Sequence, residues 1–184
     1  MKNIWFFIIL LFTSFNFLTA GEKNNLHPNH VSVNLLAIPG NTGVVTYERY
    51  FNKQSLWLGF EHRFNDLDED RDRNTNSIAL EYRRYFGGKP QKADGFFAGV
   101  YAKTRWGIET HLEKSEEFHR YTALFPGING GYQYQLRRLV LSFFAGYGFP
   151  VAISEESNPK GNPGNLNDGF KKDLRLGLTI GFAF

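Results

Sequence analysis

The feature that most constrains this chain is an alternation of apolar and polar residues at every second position. In residues 55–64 (SLWLGFEHRF), for example, Leu56, Leu58 and Phe60 fall on one face. A period of two is the signature of a β-strand, whose successive side chains point to opposite faces. We find this pattern in eight segments, with approximate bounds 31–37, 43–51, 55–64, 76–86, 95–106, 120–134, 139–149 and 174–184.

The connections between these segments alternate in length. Short, turn-like connections at 52–54, 87–94 and 135–138 alternate with long polar ones at 65–75, 107–119 and 154–169, and 39–42 makes a compact first loop. Tight periplasmic turns and longer external loops are typical of outer-membrane barrels. The sequence therefore predicts an all-β fold, an eight-stranded antiparallel transmembrane β-barrel of up-and-down meander topology, over residues 30–184. The last strand must pair with the first, because an open sheet edge cannot sit in hydrocarbon.

The composition agrees with a barrel and excludes several other classes. The mean hydropathy is −0.37 although 17% of the residues are aromatic, which fits strands that hide their apolar side chains at alternate positions. There is no cysteine, so disulfides, thiolate metal sites and thiol catalysis are excluded, and an exported cysteine-free chain suits a Gram-negative envelope. The formal charge of +3 is too small to suggest a nucleic-acid partner.

The first twenty residues read as a secretory leader. Lys2 supplies a positive charge, residues 4–12 (IWFFIILLF) form a short apolar core, and a more polar stretch ends at Ala20. This pattern predicts a signal peptide over 1–20 that is cleaved after Ala20, followed by a short periplasmic segment at 21–29. An uncleaved anchor is the alternative, although the apolar core is short for a bilayer. We therefore expect the mature protein in the outer membrane of a Gram-negative bacterium.

If the apolar face meets lipid, the opposite face fills the lumen with charged residues. These are Glu48, Glu61, Arg63, Glu81, Arg83, Lys103, Arg105, Asp173 and Arg175. Both signs are present, and charges in a narrow lumen should pair because an unpaired buried charge is very costly. Side chains can just fill an eight-stranded barrel, and glycines such as Gly177 leave room for large neighbours such as Phe144. We predict a plugged barrel with a structural charge network; a proton or small-solute path is the alternative.

Aromatic residues are expected in girdles where the barrel crosses the headgroup regions. The candidates are Tyr50, Phe51, Phe86, Tyr132 and Tyr134 at the periplasmic ends, with Trp106, Tyr121 and Phe149 at the outer ends. The final strand carries Leu178, Ile180, Phe182 and Phe184 at alternate positions. It resembles the C-terminal signal of outer-membrane barrels that the assembly machinery reads. The expected partners are therefore outer-membrane lipid and lipopolysaccharide, and the barrel-assembly machinery and periplasmic chaperones during biogenesis.

Three groups of residues could carry sharper chemistry. The first is Asp66, Asp68, Asp70 and Asp72 in an external loop, the second is His30 with Ser32 on one strand face, and the third is His111 and His119 among four glutamates. Alternate carboxylates can ligate Ca²⁺, but neighbouring arginines neutralise part of this charge and no closing glutamate follows. We find no P-loop, nucleophile elbow or His-Glu-x-x-His motif, and we predict no metal, no cofactor and no enzyme activity.

Several short motifs carry a resemblance to a known group of proteins. The first strand contains Asn-Leu-Leu, a central strand contains Glu-Tyr-Arg, and a later one contains Gly-Gly-Tyr-x-Tyr. With these motifs the chain resembles an uncharacterised domain-of-unknown-function family of small outer-membrane barrels, common in Bacteroidetes-type bacteria. It is more distantly similar to eight-stranded barrels of the OmpA, OmpX and OmpW kind. The resemblance implies fold and location and no activity.

The function predicted from the sequence is that of a non-enzymatic outer-membrane barrel with a plugged polar lumen and exposed loops for structural or interaction roles. Two alternatives stay open. One is a lipid A-modifying barrel enzyme of the deacylase or acyltransferase type, and the other is a narrow channel for small solutes.

Overall fold

A computed structural model describes residues 27–63, 71–87, 94–111, 118–157 and 172–184. Within these ranges the chain forms nine strands: β1 (Asn29–Asn34), β2 (Thr42–Phe51), β3 (Gln54–Arg63), β4 (Arg71–Phe86), β5 (Gly95–His111), β6 (Phe118–Leu136), β7 (Leu139–Gly148), β8 (Ala152–Ser157) and β9 (Asp173–Ala183). A 3-10 segment, Leu35–Gly40, separates β1 from β2. No helix in the same ranges is long and apolar enough to cross a membrane. The predicted leader lies outside the described residues.

The nine strands close into a barrel with eight strand positions. Every pairing is antiparallel, and the circuit runs from β1 through β2, β3, β4, β5, β6, β7 and β9 back to β1. β8 continues the path of β7 along β6 beyond a bend at Pro150. At the bend, the amides of Phe149 and Val151 donate to the carbonyls of Pro126 and Leu124 over 3.2 and 3.0 Å. The predicted eight-stranded antiparallel barrel is confirmed.

The two ends of the barrel differ in their connections. At one end, here called the turn end, Asn52 and Lys53 join β2 to β3 with φ angles of 45° and 63°, the left-handed pair of a tight type I′ hairpin. Asn29 and Phe184 also meet at this end through two backbone hydrogen bonds of 3.2 and 2.8 Å. The opposite end, here called the loop end, carries the connection from β1 to β2 and those that follow β3, β5 and β8.

The predicted alternation of faces holds around the barrel. Large apolar side chains such as Leu58, Leu80 and Leu178 are exposed on the outer surface, and polar or aromatic ones fill the interior. Two residues predicted for the aromatic girdles, one at the periplasmic ends and one at the outer ends, point inward instead. Tyr50 packs edge-on against Tyr85 with ring centroids 5.4 Å apart, and the hydroxyl of Tyr121 lies 2.9 Å from that of Thr75. Residues two apart in a strand lie on the same face. Tyr50 therefore points inward with Glu48, and the same rule sets the direction of Tyr121.

The first strand is shorter than predicted. β1 ends at Asn34, where the alternation suggested a strand to position 37. Pro39 lies in the segment that follows and has no backbone N–H for a ladder. The amide of Leu36 donates to the side chain of Asn34 over 3.2 Å, which caps the 3-10 segment. The wall of the barrel therefore lacks a regular strand at this position of the loop end.

Three strands are much longer than predicted. β4, β5 and β6 contain 16, 17 and 19 residues, whereas β2, β3 and β7 contain 10 each. Parts of the loops predicted at 65–75, 107–119 and 154–169 are strand, because pairing across each hairpin satisfies backbone groups that polar composition alone assigned to loops. A tilted barrel strand needs about 9–11 residues to cross a bilayer. The excess residues of β4, β5 and β6, together with β8, form a sheet extension here called the platform.

Candidate functional site: the barrel lumen

The turn-end half of the lumen is organised around the carboxylate of Glu48. His30 Nε2 lies 2.9 Å from Oε2, which also accepts a hydrogen bond from Arg83 Nη1 over 3.0 Å. The hydroxyls of Tyr85, at 2.7 Å, and of Ser55 donate to Oε1. Four groups from three strands therefore satisfy one buried carboxylate, as the cost of an unpaired buried charge requires.

Arg83 links this carboxylate to a second one. Its Nε donates to Oε1 of Glu81 over 2.6 Å. The other oxygen of Glu81 accepts from Asn129 Nδ2 over 2.9 Å and from Arg175 Nη1 over 3.1 Å. These contacts join β4 to β6 and β9 through the middle of the barrel. Arg83 and Glu81 are almost completely buried, so the network crosses the lumen without an open water path at this level.

Aromatic rings fill the space around the two arginines. The guanidinium carbon of Arg83 lies 4.5 Å from the centroid of Phe97 and 5.0 Å from that of Trp57. The same atom of Arg175 lies 4.9 Å from Trp57. Such cation–π contacts are favourable when the cation is removed from water. We call this set of residues the plug: Glu48, Glu81, Arg83, Arg175, Trp57, Tyr85, Phe97 and Phe144.

One glycine makes room for the plug. A Cβ atom at Gly177 would overlap the ring of Phe144, which is buried with Tyr50, Tyr85 and Phe97. The glycine therefore lets β9 pass directly beside a phenyl ring inside the barrel. The sequence predicted that glycines at 99, 131, 146, 177 and 181 would leave room for large side chains such as Tyr101 and Phe144, without assigning this pair.

The loop-end half contains a second ionic group centred on Asp173. Its carboxylate accepts from Tyr101 Oη over 2.8 Å, from Lys103 Nζ over 3.1 Å and from Arg105 Nη2 over 2.5 Å. Lys103 Nζ also donates to Glu61 over 2.8 Å. This group ties β3, β5 and β9 together, and the guanidinium carbon of Arg105 lies 4.8 Å from the ring centroid of the buried Phe125.

A cavity of about 250 Å³ occupies this loop-end half. Trp57, Phe144 and Arg175 belong to the plug and also line the cavity, so the plug is its floor. Lys103 and Arg105 contribute to its walls. The cavity was not predicted from the sequence, because alternation shows which residues face inward and not how completely they fill the space.

Eight of the nine charged residues predicted for the lumen form ion pairs inside it. Arg63 is the exception: it lines the cavity, and its Nε is buried without a hydrogen-bond partner. Tyr85 and Tyr101 share a strand face with Arg83 and Lys103, as the alternation predicts, but their hydrogen bonds to Glu48 and Asp173 were not predicted. Asn129 was not predicted, and its parity within β6 is the signal that could have identified it.

The other candidate groups are separated or only partly described. His30 pairs with Glu48 inside the lumen, so a carboxylate partner that the sequence could not assign is present. Asp66, Asp68 and Asp70 lie outside the described residues, as do the glutamates at 113, 116 and 117. Within the described part of the chain, no group of three or more His, Cys, Asp or Glu residues could hold a metal ion.

The fold and its filled interior define a class: closed eight-stranded antiparallel barrels with the architecture of outer-membrane proteins. Among solved structures, the chain is similar to Neisserial surface protein A (NspA). The TM-score is 0.50 with 11% sequence identity, over 85% of this chain and 94% of that protein. No protein-family model matches the sequence, and no curated protein matches it. The similarity establishes the fold, and the family suggested by the short motifs has no support from these comparisons.

Proposed function

We propose that this chain is a non-enzymatic outer-membrane protein whose barrel is closed by the plug and which acts through the platform at its loop end. The plug is the observation that carries the proposal. Glu81 on β4 connects to Asn129 on β6 over 2.9 Å and to Arg175 on β9 over 3.1 Å, and aromatic rings fill the remaining space. A chain built this way holds its lumen shut and leaves its outer ends for contacts.

The outer surface supports the membrane location. Exposed apolar side chains lie on the outer face of strands all around the barrel. Examples are Leu56 on β3, Leu80 on β4, Val100 on β5, Phe143 on β7 and Leu176 on β9. An exposed apolar band of this kind on a soluble protein would be an aggregation liability. We expect the protein in the outer-membrane fraction, with a different apparent size on a gel before and after boiling. Recovery in the soluble periplasmic fraction without detergent would contradict the location.

The orientation can be tested cleanly because the chain has no cysteine. Asn74 is exposed near the loop end and Asn52 lies in a turn at the opposite end. In intact cells, a membrane-impermeant maleimide should label Asn74→Cys and leave Asn52→Cys unlabelled. Permeabilising the outer membrane should make the second variant reactive. Labelling of Asn52→Cys before permeabilisation would show the reverse orientation.

The closed lumen can be tested by conductance in planar bilayers. The wild-type protein should be silent at high loading, because no water-filled path passes the plug. A Trp57→Ala and Phe144→Ala double variant, which removes two rings from the plug, should conduct. Steady wild-type currents equal to those of the double variant would instead support the alternative of a narrow channel.

The platform supports a role in contacts with molecules outside the cell. β4, β5 and β6 each exceed the length needed to span a bilayer by at least five residues. At a rise of about 3.3 Å per residue, the paired segments project roughly 15 Å or more beyond the bilayer. Deleting residues 71–74 together with 108–111 and 118–120 should leave the heat-modifiable barrel intact. Failure of the barrel to fold would show that the platform is structural.

The His30–Glu48 pair is the observation that bears on the alternative of a lipid A-modifying enzyme. His30 and Glu48 form a buried pair, as a catalytic dyad would, but Glu48 belongs to the plug and neither residue lines the cavity. A lipid acyl chain in the cavity would therefore not reach the pair. We expect the lipid A mass spectrum of a host to be the same with and without this protein. A change in acylation that His30→Ala abolishes would establish the enzyme.

A further inference from the structure

The wall of the barrel has a seam between β1 and β9 at the loop end. Register pairing between these strands stops at Asn34 and Thr179, whereas β9 continues to Asp173 with β7 on its other side. The Asn34 side chain takes the place of one ladder residue. Its Nδ2 donates to the carbonyl of Leu176 over 3.2 Å, and its Oδ1 accepts from the amide of Leu178 over 3.1 Å.

The cavity borders this seam. Arg175 faces the lumen, while its chain neighbours Leu174 and Leu176 face outward and are 71% and 52% exposed. All three line the same cavity, together with Leu36 of the 3-10 segment. Residues from both faces of β9 therefore border the cavity at the point where β9 has no β1 partner. The inner part of the cavity is charged, and its border at the seam is apolar.

The inner part carries one guanidinium nitrogen and one hydroxyl oxygen that are buried without a hydrogen-bond partner. The Nε of Arg63 is buried and forms no hydrogen bond. Ser77 is 1% exposed, and its Oγ also lacks a partner. Both residues line the cavity, and Arg63 pairs with Thr75 across β3 and β4, so Ser77 is its diagonal neighbour on the same face. Buried donors without partners are costly unless a ligand or water satisfies them.

We propose that this cavity binds an amphiphile with one acyl chain and an anionic headgroup, such as a carboxylate or a phosphate. The headgroup accepts hydrogen bonds from Arg63 Nε and Ser77 Oγ. The acyl chain leaves through the seam along Leu36, Leu174 and Leu176, toward the lipid that surrounds the barrel. Charge complementarity selects an anionic headgroup, since the charged residues that line the cavity in the described part of the chain are Arg63, Lys103, Arg105 and Arg175 against one acid, Glu61. The proposal goes beyond the role of the platform and does not require it.

The floor of the cavity provides a direct reporter. The chain has three tryptophans, and Trp57 is the one that lines the cavity. In a Trp5→Phe and Trp106→Phe background, its fluorescence in nanodiscs of zwitterionic lipid should be quenched saturably by 2-bromododecanoate. Bromine at carbon 12 should quench it less, because that end of the chain lies in the seam. Unlabelled dodecanoate and dodecyl phosphate should compete, and their relative strength identifies the preferred headgroup.

Three controls distinguish this site from general partitioning into lipid. A Trp5→Phe and Trp57→Phe protein leaves Trp106, on the lipid-facing side of β5, as the emitter, and its quenching should not saturate. The methyl ester of 2-bromododecanoate should not bind, because it has no anionic head. 2-Bromopropionate has the head without the chain. If it quenches Trp57 with equal affinity, the site takes simple anions and the amphiphile proposal is wrong; no saturable quenching by any probe also overturns it.

Variants assign the headgroup contacts. Arg63→Gln and Ser77→Ala should each weaken binding of 2-bromododecanoate, by about tenfold for the loss of a hydrogen bond to a charged group. Ser142→Ala is the matched control, because its buried Oγ also lacks a partner but does not line the cavity. Heat-modifiable migration confirms that each variant folds. Unchanged affinity in both Arg63→Gln and Ser77→Ala would remove the headgroup assignment.

Discussion

Both halves of the lumen contain networks of ion pairs, but the turn-end half is filled by the plug and the loop-end half contains a cavity. In the turn-end half, Glu81 and Arg83 are almost without solvent exposure, and rings cover the guanidinium group. In the loop-end half, the Glu61 side chain is 25% exposed although it pairs with Lys103 at a similar distance. Glu61 lines the cavity, whereas Asp173 in the same half does not and is fully buried, so the exposure follows the cavity and not the ion pairs. Ion pairing alone therefore does not close a barrel.

The largest effect should come from removing one carboxylate in each half. Glu81→Ala leaves Arg83 and Arg175 short of a buried partner, which should destabilise the barrel by about 3–5 kcal/mol. Glu61→Ala removes a partly solvated partner and should cost at most about 1 kcal/mol. Urea unfolding in lipid vesicles, followed by tryptophan fluorescence, measures both. Equal losses would mean that the cavity half is as dry as the plug.

The next effect concerns packing within the plug. Gly177→Ala places a methyl group against the Phe144 ring and should cost about 1–3 kcal/mol through overpacking. Gly130→Ala is the matched control, since its Cβ would meet only the carbonyl oxygen of Phe97 at an ordinary 3.4 Å. The same unfolding titration applies. A control variant that loses as much stability as Gly177→Ala would show that strand glycines matter here for backbone reasons and not for the ring.

A smaller effect is expected at the seam. Asn34→Ala removes two hydrogen bonds to β9, each worth about 0.5–1.5 kcal/mol net. The loss should be local, so hydrogen exchange at the amide of Leu178 should accelerate more than exchange at amides beside the plug. Asn74→Ala, on the exposed surface of the platform, should change neither. Uniform acceleration around the barrel would show that the seam and the plug open together.

The smallest effect on stability should come from the outer surface of β9. Phe184 is exposed, and its backbone carries the contact with Asn29, so Phe184→Ala should change unfolding by less than about 0.5 kcal/mol. If Leu178, Ile180, Phe182 and Phe184 form the proposed assembly signal, the same variant should lower the amount of barrel in the outer membrane. Phe86→Ala, which removes another exposed ring at the turn end, is the control. Equal loss in both variants would contradict a specific signal.

The barrel fold and the identity of the residues that face its lumen could be predicted from the sequence. This was possible because the alternation of faces is a property of each single strand. Once Glu48 is placed inward, parity places Tyr50 inward as well, and overlooking this led to the wrong girdle assignment. The seam was not predictable, since the apolar residues at 35 and 37 continue the alternation that β1 abandons. The platform was missed because residues 71–75 (RDRNT), 107–111 (GIETH) and 154–157 (SEES) are mostly polar and show no apolar alternation. The cavity depends on how much space the side chains fill, and the alternation of polar and apolar residues gives no information about side-chain volume.

The contacts of the plug also limit how the chain can reach its folded state. Glu48 belongs to β2, Arg83 to β4, Asn129 to β6 and Arg175 to β9, so no contiguous hairpin contains the complete set of partners. A sheet that is still open must keep these groups hydrated, because each would be costly to bury alone. Expulsion of water from the centre is therefore the final event, after the first and last strands have met.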